Sequence, residues 1–360
     1  MADILTKDIL SIHNDEHFYI EYNPQLAKLY SAPLDSNYAK EQLRVNRSKN
    51  YGFKKIEILH GNIGYIDISY FAYLTPEAER TANAAFDLLS NCNAVIIDLR
   101  YGLGGQPEMV SCILKHFLKD ETLLMSSTIR NQPGKHLYYS EPDSNYTTLY
   151  DKPLYILTSY KTFSAGEMVA YSLKNLHRAT LVGEQTRGGA HNSPKSFLYG
   201  DYIISLPHGK AHSKLTNSNW EGVGVEPDIK ATAETSLERA ELDIFEKYFK
   251  NTIDTNELNN LKWQLTLLKA KNHESVLPVS ELQNRVGSYS YIDITLYRNT
   301  LYYERVGRAK FPLVPMTDTK MRFKGNDSFF VEFVKDTTDN ITGIITYYED
   351  GRIEHSKRNE

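Results

Sequence analysis

Cysteine is scarce in this chain: Cys92 and Cys112 are the only two among 360 residues. One sits in an apolar helical pattern and the other just before a strand. Two thiols so placed make neither a disulfide framework nor a metal site, and both read as buried free thiols. No apolar run approaches the roughly 20 residues that span a bilayer. Neither sign of charge is in large excess. A net charge of -4 and a pI of about 6.3 leave no strongly basic face, so nucleic acid is a poor default partner. The opening MADILTKDIL has no basic stretch followed by an apolar one, so it shows no signal peptide. It reads as the middle of a helix, and an upstream segment is expected before it. The H-E-x-x-H and Cys/His patterns of zinc sites are missing, as are the Lys-Ser/Thr of a phosphate loop and a dinucleotide fingerprint. No metal or other cofactor is expected.

Composition is otherwise that of a globular chain, 41% hydrophobic and 24% charged, and long enough for two or three cores. Residues 1–50 are mixed: ILTKDILSI suits a short amphipathic helix, HFYIEY a strand, and the run to Asn50 an irregular connector. Residues 51–235 read as an α/β core. GYIDISYF, AVIIDLR, LYILTSY and ATLVGE are strand-like, the last three as buried apolar runs. Between them, residues 76–90, 107–118 and 165–176 have helical spacing, which argues for a mainly parallel sheet packed with helices. Residues 236–280 form a charged helical connector, with Leu237, Ala240 and Ile244 on one face and a break near Asp254. Residues 281–360 alternate in short strands, rich in tyrosine. Turn signals at Arg298-Asn299, Gly325-Asn326-Asp327, Asp339-Asn340 and Asp350-Gly351 predict a small antiparallel all-β domain, a barrel or sandwich.

Chemistry concentrates in five segments. In TSYKTFSAGE an apolar strand ends, a polar turn follows, and Ser164 stands where a helix begins. Its hydroxyl is then exposed beside the unpaired N–H groups of a helix start. That is the arrangement of a nucleophile elbow without its G-x-S-x-G pattern, and a plain N-cap serine fits the same letters. In DLRYGLGG, glycines after a buried strand let backbone approach a ligand. The N–H of Gly104 or Gly105 could form half of an oxyanion hole and that of Ala165 the other half. GEQTRGGAHNSP, NWEGVGVEPD and NDEHFYIEY complete the set, with His191, Glu221 and His17 as their titratable groups. By residue type alone, His17 is equally a surface residue at a strand edge and Glu221 a turn residue beside Trp220. Asp98 and Arg100 read as a structural pair, Ser159 and Thr162 as turn residues.

In this order, IIDLRYGLGG, TSYKTFSAGE, LVGEQTRGGAH and GVGVEPD resemble the successive core blocks of the S41 family of serine peptidases, over roughly residues 10–235. The resemblance implies a crotonase-like ββα-type core and acyl-enzyme hydrolysis of peptides or unfolded proteins, with Ser164 as nucleophile. One branch of the family uses a Ser–Lys dyad, its lysine in a G-x-T-x-G-K pattern; here that position is Gly189, and Lys195 lies too far along. The chain is more similar to the branch of the interphotoreceptor retinoid-binding protein repeats, their bacterial relatives and the tricorn core. That branch implies His17 as general base and Glu221 as completing its network, with Glu16 where tricorn has a serine. His191 is the rival base or a substrate contact. Many bacterial relatives are exported. The same branch leaves open an apolar-ligand binding protein of the retinoid or fatty-acid type, and the same serine would serve an esterase.

Overall fold

The computed structural model describes residues 1–31, 36–143, 145–249, 255–272 and 275–359. They fall into two compact units, Met1–Ala240 and Glu241–Glu360.

The first unit is built on a six-stranded mixed sheet. Across it lie, in order, strands Ile229–Lys230, Thr180–Gly183, Leu154–Thr158, Ala94–Asp98, Ile63–Ile68 and Phe53–Leu59. All neighbours are parallel except the last pair. The two central strands, AVIID and LYILT, are buried at every position, as continuous apolar runs require when both faces are covered. Helices Pro76–Leu88, Pro107–Leu114 and Ala165–Asn175 pack on the sheet through Phe86, Met109, Ile113, Met168 and Leu173. Thr75 caps the first of these by accepting from the Ala78 N–H, with proline at the first turn. Cys92 and Cys112 are buried and free.

Two antiparallel sheets complete this unit; of their strands, the sequence patterns marked only that in HFYIEY, which forms Tyr19–Tyr22. One orders His136–Ser140, Thr122–Ile129, Gly209–His212 and His191–Asn192. The other sets Tyr19–Tyr22 and Lys195–Tyr199 on either side of Tyr202–Ser205. The expected connector before Asn50 is instead the helix Ser36–Ser48. Its polar sequence hides a helix that contributes the buried Asn46, which accepts from Tyr70 Oη. Among the described residues no helix is long and apolar enough to cross a membrane.

The second unit is an antiparallel meander of eight strands in sequence order, from Gly287–Tyr289 to Ile353–Lys357. A bridge between Tyr289 and Arg358 and the bond from Asn359 N–H to Ser288 O bring its last strand to its first. Each tested turn signal marks a reversal of the backbone: Arg298 and Asn299 both take positive φ, as a two-residue hairpin turn demands, and so do Gly325, Asp339 and Gly351. Phe323, Val331, Phe333, Ile294 and Tyr303 fill the interior. Helices Thr255–Asn272 and Val279–Asn284 precede the strands. Trp263 stacks on Phe330 with ring centroids 4.9 Å apart and donates to Asp327 O. Asp254 lies outside the described residues.

Candidate active site

Ser164 sits between the buried strand Leu154–Thr158 and the helix Ala165–Asn175, with φ 54° and ψ −116°. An ordinary N-cap residue is extended, so a non-glycine residue held at this φ is strained. The turn that holds it is tied to the glycine turn of the neighbouring strand. Thr162 Oγ1 donates to Leu99 O at 2.7 Å, Ser159 Oγ to Arg100 O at 2.5 Å, and Phe163 N–H to Gly102 O at 3.0 Å. Ser159 and Thr162 are thus buried locks between two strand ends. Asp98 and Arg100 pair as expected, and Arg100 reaches on to Ala233 O.

The glycines fit this turn with no room to spare. A Cβ on Gly104 would lie 2.7 Å from Ser164 Cβ, and one on Gly105 would lie 2.0 Å from Phe71 O. Both have positive φ. Gly105 and Ala165 line the same cavity as Ser164. Among the described residues, no backbone hydrogen bond takes up the Ala165 N–H, which is the first of its helix.

His17 and His191 reach the site through the three-stranded sheet. Tyr19 and Lys195 both pair with Ser205, one from each side, so the segments just before them converge. Thr6 anchors the strand of His17 by accepting the Ile20 N–H, and Ser193 Oγ donates to His17 O. His17 is 7% exposed, which removes the reading as a surface residue. Its ring stacks at 4.3 Å on Phe163, next to Ser164, and both residues line the cavity. No hydrogen bond joins Ser164 Oγ to His17; catalytic pairs are often loose without substrate. Burial pushes the imidazole down to about 4, against the opposing pull of Asp15.

Glu221 faces His191 rather than His17. Its Oε2 accepts the Ala190 N–H at 2.6 Å and lies 3.6 Å from His191 Nδ1. His191 Nδ1 is 2.5 Å from Asp15 Oδ2. That hydrogen bond is the main cause of the raised pKa of His191, while burial raises that of Glu221. Asp15, His191 and Glu221 place donor atoms within 4.8 Å of one another, a set that by atom type could also hold a metal ion.

Two acidic residues were not singled out by the sequence reading. Asp15 is one; nothing in NDEHFYIEY distinguishes it from Glu16. The other is Glu167, fully buried, which accepts from the N–H groups of Ser164, Gly188 and Gly189 and from Thr186 Oγ1. It clamps the serine turn to the GGAH loop. Burial pushes its carboxyl up to about 7. Its signal was present: Ser164-x-x-Glu167 is the pattern of a capping box.

Ser164 opens into a cavity of about 1130 Å³. Part of its lining is apolar: Met125, Tyr138, Met168, Ala211 and Trp220 all belong to the core cluster or pack against it. Thr6, Leu10, Leu29 and Gln42 from the N-terminal helices lie along it as well.

Comparison with known proteins agrees with this geometry. Residues 62–231 match the model of Peptidase family S41, and this stretch of the chain belongs to that family. It is 27% identical over 206 residues to the tricorn protease of Thermoplasma volcanium, covering 54% of this chain and 17% of that protein. To the carboxy-terminal processing protease CtpB of Bacillus subtilis it is 30% identical over 178 residues, 47% of this chain and 34% of the other. To the chloroplastic carboxyl-terminal-processing peptidase 1 of Arabidopsis thaliana it is 27% identical over 207 residues, 55% and 39% respectively. The chain thus spans less than half the length of these relatives.

Proposed function

We propose that the chain is a serine peptidase in which Ser164 attacks a peptide carbonyl and His17 takes the serine proton. The observation that carries this is the strained backbone of Ser164, pressed against Gly104 at the end of a buried strand and opening into a cavity shared with His17. A structural cap has no use for such strain, and neither has a site that only binds an apolar ligand. The tetrahedral oxyanion would sit between the Ala165 N–H and that of Gly104 or Gly105.

His17 suits the base role better than His191. A base must be unprotonated at working pH, and buried His17 is. His191 is bonded through Nδ1 to Asp15 and holds its proton more tightly than usual. Gly189 supports the branch without a lysine. A Cβ there would lie 2.3 Å from the Phe163 ring and 2.6 Å from His17 Cε1, so the space a side chain at 189 would need is filled by the imidazole and its stacking partner. The apolar side chains in the cavity lining, Met125, Tyr138, Met168 and Trp220 among them, suit an uncharged, apolar residue next to the bond cut.

Incubation with a mixed peptide library, read by mass spectrometry beside Ser164→Ala, tests this. Cleavage next to apolar residues, absent from the variant, is expected. The same products from both proteins would refute a Ser164 nucleophile.

A further inference from the structure

The polar groups behind His17 form a connected series rather than a scatter. Asp15 is 1% exposed and uses both carboxylate oxygens. Oδ1 accepts the His17 backbone N–H at 2.9 Å and stands 3.9 Å from His17 Nδ1. Oδ2 takes the 2.5 Å bond from His191 Nδ1. That same nitrogen lies 3.6 Å from Glu221, which is itself fixed by the Ala190 N–H. Among the described residues, buried His17 Nδ1 has no hydrogen-bond partner. An orphaned buried nitrogen loses free energy unless the neighbouring carboxylate serves it when the ring carries charge.

Resting on the reading of Ser164 and His17 as nucleophile and base, we propose that Asp15 is the positioning carboxylate of the base, and that His191, itself faced by Glu221, acts through Asp15 by keeping it ionised and in place. The catalytic pair would then be backed by a carboxylate shared between two imidazoles. Glu221 reaches the base only at second hand.

Charge favours this division. A lone carboxylate buried so deeply would resist ionisation; burial does push Asp15 up, but the His191 hydrogen bond and the His17 N–H more than offset it. When Ser164 attacks, its proton moves to His17 Nε2, the serine oxygen bonds to the carbonyl carbon, and the carbonyl electrons pass to the oxyanion. The imidazolium so formed has Asp15 beside its Nδ1–H. His191 and Arg187 are the cations that face His17 and oppose its charging; Lys210 faces His191, and His13 faces Glu221. Asp15 is the carboxylate acting directly on the base.

The test compares Asp15→Asn, His191→Gln and His17→Ala by the pH dependence of peptide hydrolysis, with folding checked by circular dichroism. Asp15→Asn should lower kcat by about a hundredfold or more, leave KM within about threefold, and move the acid limb of kcat/KM to lower pH, since the base loses its raising neighbour. His191→Gln should lower kcat less, by about tenfold, with KM within about threefold, and should not move the acid limb to lower pH, since His191 opposes the charging of His17. If His17→Ala is inactive while Asp15→Asn keeps kcat and the acid limb, the base stands and the positioning role of Asp15 is overturned. If His17→Ala is active and His191→Gln is not, the base reading fails, and this proposal with it. A measurement that leaves Asp15 intact guards against a misfolded variant. Histidine ¹⁵N spectra of Ser164→Ala should show neutral His17 with its proton on Nδ1; a proton on Nε2 would overturn the proposal.

Discussion

The two units of the chain solve different problems with similar parts. In Glu241–Glu360 each strand pairs with the next one in sequence, and its open turn glycines meet nothing: a Cβ on Gly307, Gly325 or Gly351 would touch no atom within 4 Å. In Met1–Ala240 many sheet neighbours are distant in sequence, as Ala94–Asp98 is from Leu154–Thr158, and glycines such as Gly105 and Gly183 stand where backbones nearly collide. The contrast separates glycine as a turn former from glycine as a spacer between two strand ends. It also separates a unit built on local pairing from one that gathers residues 15, 17, 164, 191 and 221 into one site.

The sharpest way to break the comparison is at the base. His17→Ala should lower kcat about 10³-fold or more, with little change in KM, because a proton acceptor acts only in the transition state. A variant with near-normal kcat would remove His17 as the base and leave the gathering of these residues without a catalytic purpose.

The glycines come next. Gly105→Ala should destabilise the first unit by more than about 3 kcal/mol, since its Cβ would fall 2.0 Å from Phe71 O. Gly351→Ala has only its positive φ against it and should cost the second unit about 1 kcal/mol. The chain carries one tryptophan in each unit, Trp220 and Trp263, so fluorescence of Trp263→Phe and Trp220→Phe backgrounds reads the two unfolding transitions apart. Equal losses from the two substitutions would erase the distinction.

Titration offers a subtler contrast. Folded His17 binds its proton near 4 instead of 6.5, so between those values the unfolded chain holds more protons and stability rises with pH. Folded Glu167 keeps its proton to about 7 instead of 4.5, so over its window stability falls with pH. Each effect amounts to roughly 3 kcal/mol at most, with opposite signs. Stability of the first unit should therefore vary little from pH 4.5 to 6.5. It should rise with pH in Glu167→Gln and fall with pH in His17→Ala, as read by denaturant midpoints through Trp220. Like slopes in the two variants would contradict these assignments.

The smallest expected effect concerns specificity. Tyr138→Ala enlarges the cavity and should shift preference toward bulkier apolar residues by about tenfold in kcat/KM ratios. Unchanged cut sites would place the bound side chain elsewhere.

What the sequence revealed follows the same division. The meander was legible because each hairpin carries its own turn chemistry within a few residues, as Arg298-Asn299 and Asp350-Gly351 show. The central strands were legible because AVIID and LYILT are apolar up to their last residue. Ser164 and its flanking glycines could be singled out because strand end, turn and helix start are neighbours along the chain. Glu167 could have been found by its spacing from Ser164. The helix Ser36–Ser48 escaped because few apolar residues mark its inner face. Asp15 could not be told from Glu16, because its meaning depends on His191, 176 residues away and brought near by the pairing of Tyr19 and Lys195 with Ser205. Family resemblance supplied His17 and Glu221, but not which imidazole each carboxylate would face.

The most direct measurement is the rate and position of labelling by a fluorophosphonate, followed by peptide mapping. It reports the nucleophile without requiring the natural substrate. A single adduct on Ser164, formed about a hundredfold or more slowly in His17→Ala, is the expected result. Labelling at another residue, or at an equal rate without His17, would contradict the Ser164–His17 pair.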